Sequence, residues 1–389
     1  MMLPRANRRG LEEGHDLNFS LTEEQEMLKQ MVERFVAEQG DRSPSRDSWR
    51  RLAELGLLAL PFDEAQGGLG GGGVDVITAM EALGRGLGAE LLLGEIFLGA
   101  RLLAGAGGTR VSDRIEAVIA GRQHYAAAFA EAGTRYSFDR VATRARDCGE
   151  GWRITGTKTL VLGEAPTGYV VSARDDSGVD LYLVDAAAPG IERAPYALID
   201  GTAAAELVFD DAPAERLAQG LGALEMVLDD ARLAAAAEMV GVMSAMLDDT
   251  LDYLKTRQQF GVAIGSFQAI QHRMADLYVS LEQSRSLLYR AALAAAERRK
   301  EAIAGLSAYV GATGVHLAEE CVQFHGGMGV SDELRLGRGL KRMLVLANLF
   351  GHPDDALLRY AALAGGGAPG SVEQLPQHRL EKLAVGVAR

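Results

Sequence analysis

Apolar positions along this chain change spacing twice, and the changes divide it into three stretches. From residue 20 to about 120 the period is helical. Ser20-Leu-Thr-Glu23 reads as a capping box, in which hydroxyl and carboxylate satisfy free amides reciprocally, and Met27, Met31, Val32 and Phe35 follow at helical spacing. A second helix is predicted from Ser45 through Trp49, Leu52, Leu55 and Leu58, stopped by Pro61. Further helices are predicted over 74–86, 91–104 and 112–120. The run Gly67-Gly-Leu-Gly-Gly-Gly-Gly73 lacks the Lys-Ser/Thr pair of a phosphate loop and follows no strand pattern, so it predicts a flexible loop entering the next helix.

From about Tyr125 the period shortens. Residues 141–146, 152–157, 169–173, 181–184 and 205–209 are β-leaning segments separated by turn formers such as Cys148-Gly-Glu-Gly and Asp175-Asp-Ser-Gly. Strand follows strand without an intervening helix, which predicts an antiparallel sheet and argues against a parallel dinucleotide-binding one. After Leu221 helix returns. Residues 222–257 predict one long helix, with Met226, Leu233, Val240, Leu247 and Leu254 at every seventh position, and such a helix needs partners to cover its apolar face. Further helices are predicted over 266–299, 301–324 and 334–349. The fold class is therefore α+β: an N-terminal helical domain at 17–122, a middle antiparallel β domain at 123–221, a C-terminal four-helix bundle at 222–363 and a tail at 364–389.

Composition narrows the function by exclusion. Among 389 residues, 48% are hydrophobic and 24% charged, and the most apolar stretch is interrupted by Glu90, Glu95 and Arg101, so no membrane span is expected. A net charge of −13 argues against a nucleic-acid partner, whose phosphates call for clustered Lys and Arg. The arginine-bearing first residues lack the apolar run of an export signal, so a disordered start and a cytoplasmic protein are expected. Cys148 and Cys321 have no metal-binding or redox spacing; two idle thiols and no metal site are expected.

The residues that carry chemistry are Arg257-Gln-Gln-Phe-Gly261, Gln268 and Gln323-Phe-His-Gly-Gly-Met-Gly329, together with Leu55-Gly-Leu-Leu-Ala-Leu-Pro61 near the start. On these motifs and the order of its parts, the chain from Phe19 to about Leu363 resembles the acyl-CoA dehydrogenases, flavoenzymes that remove hydrogens from Cα and Cβ of an acyl-CoA thioester. The resemblance implies FAD, lying across a subunit interface. It assigns Arg257 to the pyrophosphate, Phe260 and Gln268 to the ADP half, and Gln323, Gly326 and Gly327 to the adenosine end. The residue types suit those roles, since a guanidinium pairs with phosphate oxygens and glycine admits close backbone approach.

The same resemblance implies a catalytic glutamate, because a carboxylate must take the α-proton as hydride leaves for the flavin. Its usual place, before a glycine after the glycine cluster, holds Phe350; its alternative place, before Arg232 on the long helix, holds Ala231. Asp230 is a candidate substitute, with Glu238 a further carboxylate on the same helix, and Arg232 is a candidate substrate contact. Relatives also meet the flavin ring with a Thr-Glu-Pro-x-x-Gly-Ser loop and a Trp-x-Thr; here these read Ala128-Phe-Ala-Glu-Ala-Gly-Thr134 and Leu160-Val-Leu162. The ADP-gripping end is kept and the flavin and base end is lost. That asymmetry is expected of the non-catalytic subunit in the family's heterotetramers of steroid or dicarboxylyl-CoA type. Its implied partners are an acyl-CoA substrate, a homologous catalytic subunit and an electron-transfer flavoprotein. The alternatives are an independent homo-oligomeric dehydrogenase with an atypical base, an acyl-CoA or partner-binding scaffold without flavin, and nitroalkane or monooxygenase chemistry on the same fold.

Overall fold

The first helix, α1 (Glu23–Gln39), is capped by Thr22: the Gln25 amide donates to its hydroxyl at 3.2 Å, and the Thr22 amide donates to the Gln25 side chain at 3.1 Å. The box expected at Ser20 and Glu23 thus sits later, because Thr22 keeps extended backbone while Glu23 is already helical. Val32 and Phe35 are buried, whereas Met27 is 62% exposed. The computed structural model describes residues 20–40, 46–331 and 334–365; the expected N-terminal start and most of the expected tail fall outside them.

Helix α2 (Arg46–Glu54) buries Trp49 and Leu52 but ends before the expected Leu58, because Gly56 turns left-handed at φ +76°. The glycine run that follows is a bonded turn and not the flexible loop expected. Amides of Leu69, Gly70 and Gly71 donate to the carbonyls of Ala59, Phe62 and Leu60 at 2.8–3.0 Å, and a Cβ on Gly68 would stand 2.0 Å from the Phe62 oxygen. Helix α3 (Gly73–Arg85) follows, then α4 (Glu90–Leu92), a π-helical stretch (Leu93–Ala100), α5 (Arg101–Ala104) and α6 (Thr109–Ile119). The π-helical stretch lies against the β part: a Cβ on Gly99 would fall 1.8 Å from the Tyr125 oxygen.

The strands are β1 (Tyr125–Ala128), β2 (Arg144–Asp147), β3 (Trp152–Leu162), β4 (Gly168–Asp175), β5 (Gly178–Asp185), β6 (Ile191–Ala197) and β7 (Ala203–Arg216). They run in the order β1-β4-β2-β3-β7-β5, with β6 beside β7, and the β4–β5 pairing closes the sheet on itself. Most pairings are antiparallel, as expected, but β1 and β2 both run parallel to β4. Ile154, Tyr182, Phe209 and Ala212 fill the inside.

The bundle begins with α7 (Gly220–Thr256), 37 residues and so about 55 Å long. Of its heptad positions, Leu233, Val240, Leu247 and Leu254 are buried and Met226 is exposed. Helix α3 crosses it closely, since a Cβ on Gly84 would meet the Glu238 oxygen at 2.2 Å and one on Gly241 the Glu81 oxygen at 2.0 Å. A two-residue hairpin, β8 (Gln258–Gln259) and β9 (Val262–Ala263), leads into α8 (Gln268–Ala292). The helix expected over 266–299 is two, because the chain turns after Ala292 and α9 (Ala296–His325) starts there. That corner holds no Gly or Pro; it is set by packing, with Gly73 pressed against the Ala292 carbonyl. Helix α10 (Arg335–Leu349) agrees with expectation, and α11 (Pro353–Ala364) was not expected. Its signals were legible, however: Pro353 in the first turn and His352 capping the Asp354 amide at 3.2 Å. Among the described residues no helix is long and apolar enough to cross a membrane.

Candidate active-site cavity and cofactor surface

A cavity of about 380 Å³ opens where the loop after β1 meets helices α7, α9, α10 and α11. Phe350 lines it and is 5% exposed, while Ala231 is fully buried. The two places where the resemblance puts a base therefore offer a phenyl ring and a methyl group. Arg232 points to the same region. Its Nε donates to the Phe350 carbonyl at 3.1 Å and its Nη1 to Asp229 Oδ1 at 2.8 Å, and Arg359 Nη2 reaches both Asp229 oxygens at 2.7 and 2.9 Å. Desolvation first, and the neighbouring Arg359 charge second, pull the Arg232 guanidinium down to about 10, with Asp229 acting against them.

The candidate substitute bases lie elsewhere. Asp230, one residue round the helix and so turned by about 100°, sits between Arg101 at 3.1 Å and Arg299 at 2.9 Å and does not line the cavity. Glu238 is fully buried and takes both ends of the Arg342 guanidinium at 2.6 and 2.9 Å. Arg342 also donates to Asp200 and Thr202, each at 2.9 Å, tying the β6–β7 loop to α7 and α10. The charged cavity residues that escaped the sequence reading are Arg135 and Arg140 in the loop after β1 and Arg359 and Asp355 on the unexpected α11, Asp355 being the one acidic side chain on the described wall. Tyr136, whose hydroxyl donates to the Asn348 carbonyl at 2.8 Å, has its phenol raised by burial first and by the Asp355 charge second.

At the far end of the bundle the two remaining motifs come together. Tyr253, near the end of α7, stacks on His325, at the end of α9, with ring centres 4.1 Å apart. Arg257 follows Tyr253 by one turn and Gln323 precedes His325, so both project from the same end; both are exposed. The hairpin tip holds Phe260 at φ +55° and Gly261 at φ +83°, the left-handed pair of a tight two-residue turn. Phenylalanine is a costly choice at positive φ, and this one is 92% exposed. Gln268 is exposed at the start of α8, and nothing lies within 4 Å of where a Cβ on Gly326 or Gly327 would be. Open backbone, an exposed guanidinium and an exposed ring fit an extended phosphate-bearing group laid over this end.

A family model described as the acyl-CoA dehydrogenase C-terminal domain matches residues 218–358, and one for the acyl-CoA dehydrogenase N-terminal domain matches residues 22–114. The chain belongs to the acyl-CoA dehydrogenase family. Acyl-CoA dehydrogenase FadE27 of Mycobacterium tuberculosis is 29% identical over 303 residues, 74% of this chain and 80% of that protein. A solved variant of the Tcur3481–Tcur3483 steroid ACAD matches at 29% identity with a TM-score of 0.80, over 88% of this chain and 98% of that one. The ChsE4–ChsE5 complex from Mycobacterium tuberculosis matches at 27% identity with a TM-score of 0.80, over 90% of this chain and all of that one.

In this member of the family the stretches that the resemblance matches to the flavin contacts are committed to the chain itself. Glu131 accepts from the Ala142 and Thr143 amides at 2.7 and 3.1 Å, from the Thr143 hydroxyl at 2.7 Å and from the buried Lys158 ammonium at 2.7 Å. Burial alone would raise this carboxyl; the Lys158, Thr143 and Ala142 bonds hold it below the usual range. The amide of Leu160, at φ +53° in a bulge of β3, already donates to the Tyr196 hydroxyl at 3.1 Å. Leu162 packs on the π-helical stretch, 2.6 Å from where a Gly94 Cβ would be. Aliphatic side chains and occupied amides fit a polar isoalloxazine edge poorly. The phosphate end fits; the ring end does not.

Proposed function

We propose that this chain is the partner subunit of an FAD-dependent acyl-CoA dehydrogenase, completing the ADP end of an FAD whose ring lies on a homologous catalytic subunit. The observation that carries the reading is the split within one chain. Arg257, Phe260, Gln268, Gln323, Gly326 and Gly327 are exposed together at one end of the bundle, while the cavity that would hold an acyl thioester is lined by Phe350, and Ala231, at the alternative base position, is fully buried. Bound FAD supplies the oxidant for α,β-dehydrogenation of an acyl-CoA; this chain supplies the phosphate clamp. Arg257 would pair with the pyrophosphate, Phe260 and Gln268 would cover the ADP half, and the backbone at Gly326 and Gly327 would meet the adenosine beside Gln323. Two of the similar structures are named for protein pairs, Tcur3481–Tcur3483 and ChsE4–ChsE5, which supports a heteromeric assembly, and the first is named a steroid ACAD, which supports a bulky acyl group.

The test is co-expression with a homologue that carries the glutamate, followed by flavin absorbance and acyl-CoA-dependent bleaching. The pair is expected to hold FAD and react, and this chain alone to do neither. Arg257→Gln removes a charged hydrogen bond of about 1.5–3 kcal/mol, so the pair should hold FAD about 10- to 150-fold more weakly. A chain that on its own retains one FAD and dehydrogenates an acyl-CoA would overturn the assignment. In that event Asp355→Asn is the decisive variant, since Asp355 is the acidic residue on the described cavity wall.

A further inference from the structure

The cavity beside Phe350 has more positive charge on its inner wall than the chain neutralises. Arg232 and Arg359 converge on a single carboxylate, Asp229, at 2.7–2.9 Å. Arg232 spends its remaining bond on the Phe350 carbonyl through Nε, so among the described residues its Nη2 has no acceptor, and neither have Nε and Nη1 of Arg359. The chain as a whole carries a net charge of −13, so this local excess is not a general property of its surface. The Arg232 and Arg359 side chains are 15% and 26% exposed, so their unpaired nitrogens are open to the cavity, where an anion that enters with good geometry can bond them. The same wall holds one buried polar atom that is unsatisfied: the hydroxyl of Ser307 has no hydrogen-bond partner among the described residues. Around these polar groups the lining is aliphatic and aromatic, with Ala235, Met239, Val310 and Leu346 beside Phe350. A volume of about 380 Å³ lies at the small end of small-molecule sites.

We propose that this cavity is a binding site for a free carboxylate with a short aliphatic body, held without turnover: the carboxylate on Arg232 and Arg359, the tail against the apolar walls. A thioester group is itself neutral, so an acyl-CoA would reach these guanidiniums only through its phosphates, and inorganic phosphate would leave the apolar wall empty. Besides Arg232 and Arg359 the described wall of the cavity is lined by Arg135, Arg140 and a single acid, Asp355, so it favours an anion. The inference concerns this subunit's own cavity and does not depend on where FAD binds.

Isothermal titration calorimetry on the full chain, purified alone or with its partner subunit, tests it with octanoate, octanol and octanoyl-CoA as probes. Octanoate is expected to bind one per chain and at least tenfold more tightly than octanol. Arg359→Gln leaves Arg232 and Asp229 as a balanced pair, so octanoate should weaken at least tenfold while octanol is unchanged. Asp229→Asn removes the competing carboxylate and should tighten octanoate, a change that misfolding cannot imitate. Octanoate binding no better than octanol, octanoate binding indifferent to Arg359→Gln, or binding of octanoyl-CoA alone would each overturn the proposal. The comparison of probes on the unaltered chain decides the matter even where a variant fails to fold. Flavin absorbance of the heteromer is a separate readout, so the failure of either reading leaves the other standing.

Discussion

Replacing Arg342 with methionine should unseat the β barrel from the helical bundle. Arg342 is 2% exposed, and it stands between Glu238 on α7, which is fully buried, and Asp200 in the β6–β7 loop, whose side chain is 2% exposed. Its three nitrogens make four bonds to these carboxylates and Thr202, all between 2.6 and 2.9 Å. Breaking one buried ion pair by removing a partner costs about 3–5 kcal/mol, most of it the penalty of the stranded charge. Arg342→Met strands Glu238 and removes the counter-charge of Asp200, which keeps the Thr202 amide and hydroxyl at 2.9 and 2.8 Å, so the expected loss lies near the upper end of that range. With an unfolding entropy of about 2.1 cal/mol/K per residue, a loss of about 5 kcal/mol lowers the melting temperature by about 6 °C if the whole chain melts as one unit, and by more if the bundle melts alone. Urea unfolding followed by circular dichroism, with calorimetry beside it, measures both quantities. The double variant Arg342→Met/Glu238→Gln should regain part of the loss, since it neutralises one stranded charge. A single variant within about 1 kcal/mol of wild type, or a double variant less stable than the single, would refute the view that this clasp carries the barrel–bundle contact.

Gly241→Ala should destabilise the chain by about 1–3 kcal/mol or more, as expected of an overpacked contact, because its Cβ would stand 2.0 Å from the Glu81 carbonyl; Gly84→Ala should do the same, and chemical denaturation should show the pair to be non-additive since both act on one helix crossing. The thiols should behave oppositely in a native labelling assay: Cys148 is exposed and should react, whereas Cys321 is buried and pushed up to about 12, so it should react only after unfolding. Glu131 is held below its ordinary carboxyl value of 4.5 in the folded chain, so its contribution is present above that value and is lost as pH falls through the folded one. The stability gap between wild type and Glu131→Gln should therefore narrow in acid unfolding curves below about pH 4.5, and a gap that does not change with pH would contradict it.

The sequence by itself determined the order of parts and the family, because both rest on local signals. Helical and strand periods record which face of each element is apolar, and that pattern alone placed the start of the strands near Tyr125 and the return to helix after Leu221. The motif at Arg257 and the glycines at Gly326 and Gly327 marked the family because they are local runs of distinctive residue types. Where the chain turns without a turn residue, as after Ala292, the periodicity ran on through the break, since packing against Gly73 decides it. The glycine run at 67–73 looked loose because composition cannot show which carbonyls its amides reach.

Only the tertiary structure decided which arginines hold each carboxylate. Asp229, Asp230 and Glu238 lie on one helix within ten residues, yet each faces a different set of arginines: Arg232 and Arg359, Arg101 and Arg299, and Arg342. Those partners come from four other helical segments and from the same helix, far apart in sequence. A side chain's chemistry follows from what surrounds it, and for these three the surroundings are assembled by folding and not by neighbouring residues in the chain. The same holds for the surplus guanidinium in the cavity, which exists because α11 carries Arg359 back across α7 to a carboxylate that Arg232 already uses.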